Sequence, residues 1–198
     1  LMTAHLDGLD ADLAGLVDVR AKARAARRAF DVLAGADQAQ LDRYVRAMAE
    51  AGTRAAEELA RLAVDETGYG VYEHKIYKNR YNTGFVARWM LQRRAGGVLW
   101  VDEAARVTAV GTPMGVIAGI IPVTNPTSTA LFKSLAAVKS GNAIVHAPHP
   151  RVARCTLRAA QIMAEAAAEA GAPEGLISCL ENPTLPATAE LMRSREIA

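Results

Sequence analysis

The stretch best placed to do chemistry reads IIPVTNPTSTALFKS, residues 120–134. Pro122 and Pro126 restrict the residues before them to extended backbone, which holds Thr124 and Asn125 in a fixed loop at the tip of a strand. A carboxamide held there can donate hydrogen bonds to an oxygen gaining negative charge, and it equally suits a plain cap of the helix that opens at Pro126. A second group gathers positive charge at a strand end and helix start: His146, His149, Arg151, Arg154 and Arg158. A phosphate could sit there; a solvated helix face is the competing reading, and the better one for Arg154 and Arg158.

Neither cysteine reads as a nucleophile. Cys155 and Cys179 have no metal-ligand spacing and no CxxC pattern, so reduced thiols are the default. Cys155 shares a helical face with Val152, Ala159, Ile162 and Met163, and Cys179 lies inside the strand-like LISCL; both are expected in the core. Gly111, Gly115 and Gly119 recur every fourth residue without forming G-x-G-x-x-G, and are expected to ease strand and turn packing.

The elements that must position these groups follow from periodicity. Residues 9–92 read as three or four helices. The clearest opens on Asp37 and Gln40 as a capping box and buries Leu41, Tyr44, Val45 and Met48 at i, i+3, i+4, i+7. A further helix is expected from Thr53, turning Leu59, Leu62 and Ala63 inward and stopping near Gly68. The next presents Phe85, Val86, Trp89 and Met90. Gly96-Gly97 ends the helical part, and VLWV and RVTAV around a polar DEAA read as a β-hairpin. The periodicity then predicts a strand at 116–121, a helix at 127–139, a strand at 143–146, a helix at 152–170 ending at Gly171, a strand at 176–180, a helix near 184–193, and the start of a fourth strand at Glu196-Ile197. Strands alternating with helices imply a parallel sheet flanked by helices, an α/β Rossmann-like fold. The expected division is 1–96 helical, 97–112 hairpin and 113–198 Rossmann-like.

With 198 residues and 51% hydrophobic content the chain can build a real core. Its 23 basic and 21 acidic residues leave a charge of +2, which gives no case for a nucleic-acid partner. The basic group Arg20, Lys22, Arg24, Arg27 and Arg28 is expected to decorate a solvent-exposed helix. The apolar run from Met114 to Ile121 is far below the roughly 18 residues a membrane span needs, and the opening LMTAHLDGLDADL lacks a secretory pattern. A cytoplasmic protein with small-molecule partners and no membrane is expected. Leu1 hints at an excerpt, with Met2 as a candidate start.

The segment GVIAGIIPVTNPTSTALFKSLAAVKSGNAIVHAPHPR, with DETGYG, KNRY and LISCLENPT, strongly resembles CoA-acylating aldehyde dehydrogenases, including the aldehyde half of bifunctional aldehyde–alcohol dehydrogenases. TNPTST, FKS, GNA and PHPR together are long and specific, and the likeness runs from about Leu59 onward. Val123-Thr124-Asn125-Pro126 departs from the superfamily's tryptophan-asparagine-phenylalanine-proline motif in the manner of the acylating branch.

The resemblance implies that Asn125 is the oxyanion-hole amide, and that Ile121, Pro122, Thr124, His146, Ala147, Pro148 and His149 line NAD or NADP. Ala147 stands where hydrolytic members usually have a lysine that bonds the adenosine ribose, which leaves NAD against NADP open. The basic group at His146–Arg158 then becomes a candidate for a phosphate of coenzyme A or of the cofactor. The implied reaction takes a small aldehyde, NAD(P) and coenzyme A to an acyl-CoA through a cysteine thioester. The nucleophilic cysteine and an alanine-threonine-glycine-glycine turn are expected beyond Ala198, so the chain reads as the first part of an incomplete aldehyde dehydrogenase fold and is expected to be inactive alone. Hydrolysis to the acid is the alternative within the enzyme class; a non-catalytic nucleotide-binding module is the alternative outside it. The hairpin is expected to join subunits of a homo-oligomer, since its strands otherwise expose an edge.

Overall fold

The computed structural model describes residues 10–198, so the readings of Leu1, Met2 and the first residues lie outside the described part. Helix α1 (Ala11–Leu33) starts at Asp10, whose carboxylate accepts from the Leu13 amide. Helix α2 (Gln38–Arg54) starts at Asp37 and buries Leu41, Tyr44, Val45 and Met48, the face the periodicity selects. The capping box is only half made: Asp37 accepts from the Gln40 amide, but the Gln40 side chain donates to the Tyr44 hydroxyl instead.

The break between the second and third helices falls later than expected. Thr53 belongs to the last turn of α2, where its hydroxyl donates to the Ala49 carbonyl, and α3 (Ala56–Thr67) begins after Ala55. Gly68 closes α3 at φ 67°, in the left-handed region that glycine enters without a Cβ penalty. Helix α4 (Tyr72–Arg80) then runs into a π-helical segment, Tyr81–Val86, and α5 (Ala87–Leu91). The wider turn splits the apolar face read from the sequence: Met90 is buried and Val86 partly so, whereas Phe85 and Trp89 stay exposed.

Strands β1 (Gly97–Asp102) and β2 (Val107–Gly111) form the expected antiparallel hairpin. Val98, Leu99, Trp100, Val101, Val107 and Val110 are all exposed on it. Strand β3 (Val116–Ile121), helix α6 (Pro126–Lys139), strand β4 (Ala143–Pro148), helix α7 (Ala153–Glu169), strand β5 (Ile177–Cys179) and helix α8 (Leu185–Arg193) complete the chain. The sheet is parallel in the order β3-β4-β5, and Ile197 forms a parallel bridge to Val116 on the free side of β3. The direction of strand addition therefore reverses at β3. Such a switch point opens a crevice at the carboxyl end of the strand, because the connections to either side leave in opposite directions.

Helices α6 and α7 cover one face of this α/β sheet and pack in turn on α2, while α1 packs on all three strands and on α8. Of the basic group on α1, Arg20, Arg24 and Arg28 are exposed, as expected, whereas Lys22 and Arg27 are partly buried. Arg20 pairs with Glu190 at 2.8 Å, Lys22 with Glu181 at 2.8 Å, and Arg27 with Glu196 at 3.6 Å, so three of the five cations bind α1 to the end of the chain. Among the described residues no helix is long and apolar enough to cross a membrane.

Candidate active site

Asn125 is the residue before α6, with φ −142° and ψ 62°. Its carbonyl accepts from the Thr129 amide at 3.1 Å, but its side chain makes no capping bond. Main chain and side chain thus separate the two readings of this residue: the backbone starts the helix and the carboxamide is left free. Asn125 lines a cavity of about 480 Å³ together with Tyr77, Tyr81, Asn82, Ser128 and Phe132. The lining rings Tyr77 and Tyr81 stack with centroids 6.2 Å apart, and Tyr81 stacks in turn on Phe85, outside the lining, at 5.3 Å. Pro126 at the first helical position has no N–H, and the N-terminal end of a 14-residue helix carries partial positive charge. The cavity mouth beside Asn125 therefore favours a negative oxygen.

The loop carrying Asn125 is held from outside by residues that sequence reasoning missed. Lys75 Nζ donates to the Thr124 carbonyl at 3.2 Å. The Thr127 hydroxyl donates to Asn79 Oδ1 at 3.1 Å, and Asn82 Nδ2 donates to the Ser128 carbonyl at 2.8 Å. Only the KNRY resemblance touched this region, and it carried no role. Nothing in the local pattern says that residues 46–49 positions apart will meet.

The residues expected to line a nicotinamide cofactor divide by burial. Pro122, Thr124 and His149 are exposed at the strand ends. Ile121, Ala147 and Pro148 are buried beneath them. The exposed three are open to a ligand at the ends of β3 and β4, whereas the buried three are closed off from one. His146 does not fit the expected role either. Its side chain is fully buried, with Nε2 2.8 Å from the Ser134 hydroxyl of α6 and Nδ1 without a partner. Nδ1 faces Gly119, where a Cβ would stand 2.8 Å away, so the glycine makes room for the ring. Burial, with the nearby Lys133 ammonium adding to it, holds the imidazole down to about 3. Strand β4 is buried on both faces, and the expected contact fails because His146 points into the α6 side of the sheet.

The positive cluster after β4 is also differently employed. The Arg154 and Cys155 amides at the start of α7 donate to the Glu66 carboxylate at 2.9 and 2.7 Å. An internal carboxylate thus fills the anion position that the helix end offers, which corrects the expectation of a phosphate at that end. The Arg151 amide donates to His149 Nδ1 at 3.1 Å, Arg151 lies over the Tyr69 ring, and Arg158 pairs with Glu58 at 2.7 Å.

Both cysteines sit in the core, as expected. Burial pushes the Cys155 thiol far up, with Glu66 adding to it, and pushes Cys179 up to about 12. Neither forms a thiolate near neutral pH. Among the described residues no cluster of His, Cys, Asp or Glu could hold a metal ion.

Residues 9–198 match the model of the aldehyde dehydrogenase family. The chain is 40% identical over 160 residues to the bifunctional aldehyde-alcohol dehydrogenase of Escherichia coli K12, covering 81% of this chain and 18% of that protein. It is 42% identical over 183 residues to the sulfoacetaldehyde dehydrogenase (acylating) of Cupriavidus necator, covering 90% and 36%. The crystal structure of an acetylating aldehyde dehydrogenase from Geobacillus thermoglucosidasius superposes with a TM-score of 0.92 at 45% identity, over 95% of this chain and 42% of that one. The chain thus spans less than half the length of each of these three relatives.

Proposed function

Because the chain belongs to the aldehyde dehydrogenase family, we propose that it is the first part of a CoA-acylating member that oxidises a small aldehyde to an acyl-CoA with NAD or NADP. The observation that carries this is Asn125, whose carboxamide is free of any capping bond and which lines a cavity after β3. In this reading its N–H bonds stabilise the aldehyde oxygen as it becomes an oxyanion, and the amino end of α6 adds to the effect. Thr124, Pro122 and His149 contact the cofactor at the strand ends. When bound, the nicotinamide supplies the hydride acceptor. Tyr77 and Tyr81 line the cavity that takes the aldehyde.

In this reading neither Cys155 nor Cys179 is the nucleophile, because both thiols are buried and protonated. Residues 1–198 alone are inactive in this reading. The acylating relatives and the TNPTST motif support coenzyme A as the acyl acceptor in place of water. The test uses the full-length protein. Asn125→Ala is expected to lower kcat by about 100- to 1,000-fold, the range for losing one oxyanion donor. Product analysis with and without coenzyme A is expected to give acyl-CoA and little acid. Unchanged kcat in Asn125→Ala, or acid formed equally fast without coenzyme A, would refute it.

A further inference from the structure

Resting on the Asn125 reading above, we infer that Lys75 is a positioning residue: by holding the Thr124 carbonyl it fixes the direction of the Asn125 carboxamide. Lys75 comes from α4 and is only 6% exposed. Its ammonium has no carboxylate within salt-bridge distance among the described residues, and its hydrogen bond goes to Thr124 O at 3.2 Å. A buried cation without a counter-charge is costly unless its surroundings use it. Here the cost has a local use. The Thr124 carbonyl lies in the same peptide plane as the Asn125 nitrogen. An anchored carbonyl stops that plane from turning, and so keeps the Asn125 Cα–Cβ bond aimed at the cavity.

The rest of the frame supports the assignment. Lys75, Asn79 and Asn82 follow at spacings of four and three, one face of a helix, and they hold the carbonyl of Thr124, the hydroxyl of Thr127 and the carbonyl of Ser128. Asn79 also donates to the Ala56 carbonyl at 3.0 Å, so it ties α4 to α3 as well as to the loop. The Lys75 ammonium bonds the loop alone. Gly70, at φ +83°, leaves the channel for the lysine stem: a Cβ there would lie 3.1 Å from Lys75 Cε. The burial that this packing imposes, together with Lys78, lowers the Lys75 pKa from the ordinary lysine value.

A double-mutant cycle in the full-length protein tests the inference. Lys75→Met is expected to lower kcat about 10- to 100-fold, the cost of misplacing a catalytic group by about an ångström. Lys75→Arg, which keeps a cationic donor, is expected to recover most of that loss. Asn125→Ala combined with Lys75→Met is expected to be no slower than Asn125→Ala alone, because a mispositioned amide that has been removed cannot be mispositioned further. A Lys75→Met kcat within twofold of the parent, or effects that multiply in the double variant, would overturn the inference. If Lys75→Met does not fold, Lys75→Gln carries the same cycle with the same expectations. An Asn125→Ala protein with full kcat brings down the oxyanion reading itself and this inference with it, a failure visible in the single variant.

Discussion

Replacing His146 by leucine should alter the pH dependence of stability more than the stability at pH 7. The imidazole is fully buried, and its pKa is about 3 in the folded protein against an ordinary value of 6.5. Between those two values the unfolded chain takes up a proton that the folded one refuses. The stability that His146 contributes is therefore fully present above pH 6.5 and is lost as the pH falls toward 3, at about 1.4 kcal/mol per pH unit. From pH 6.5 to pH 4.5 the wild-type protein should lose about 2 kcal/mol through this residue alone. Leucine removes the titrating group and fills much of the same space. At pH 7 it forfeits the bond to Ser134, a cost of about 1–3 kcal/mol if the hydroxyl finds no other partner, and it also removes the unpartnered Nδ1. Urea unfolding followed by far-ultraviolet circular dichroism, at half-unit steps from pH 7 to 4.5, gives both curves. Their difference cancels the carboxylates common to the two proteins. Curves that stay parallel over the whole range would refute the argument.

Glu66→Ala removes the acceptor of two amides at the start of α7 and should cost about 2 kcal/mol, with Glu66→Gln costing about half, read as shifts in the urea midpoint. Gly119→Ala should cost about 1–3 kcal/mol, because the added methyl meets His146 Nδ1 and Ile144 Cδ1 at 2.8 and 3.1 Å; an unchanged midpoint would show that β3 shifts freely. Alkylation with iodoacetamide at pH 8 should leave the peptides carrying Cys155 and Cys179 unmodified in the native protein and label both in urea, as mass spectrometry would show; rapid native labelling of either would contradict their burial. Trp100→Glu with Val101→Lys on the hairpin should dissociate the full-length protein into smaller species by sedimentation, with its circular dichroism unchanged; an unaltered profile would remove the hairpin from the subunit interface.

Much of the fold follows from local pattern. The i, i+3, i+4, i+7 apolar face of α2, the αL stop at Gly68, the hairpin and the alternation of strand and helix after Gly115 each depend on neighbours a few residues apart, and all are present. The fourth strand expected at Glu196-Ile197 is present only as a bridge, from Ile197 to Val116 on the free side of β3. The burial of both cysteines follows from local pattern, a helical face and a short apolar strand. The Asn125 loop is legible because two prolines constrain it locally.

Tertiary packing decided the rest. A strand's alternation says that His146 and Ala147 face opposite ways, but only the placement of α6 shows that the imidazole faces Ser134 and not a ligand. The positive charges at the start of α7 looked available to a phosphate until Glu66, 89 residues earlier than Cys155, proved to occupy the helix end. The α1 cations Arg20, Lys22 and Arg27 find their partners, Glu190, Glu181 and Glu196, only because the fold brings α1 against the later part of the chain. Lys75 reaches Thr124 across 49 residues. Short-range sterics and periodicity are written into each stretch of the chain, whereas the partner of a buried charge or polar group is chosen by which surfaces the whole core brings together.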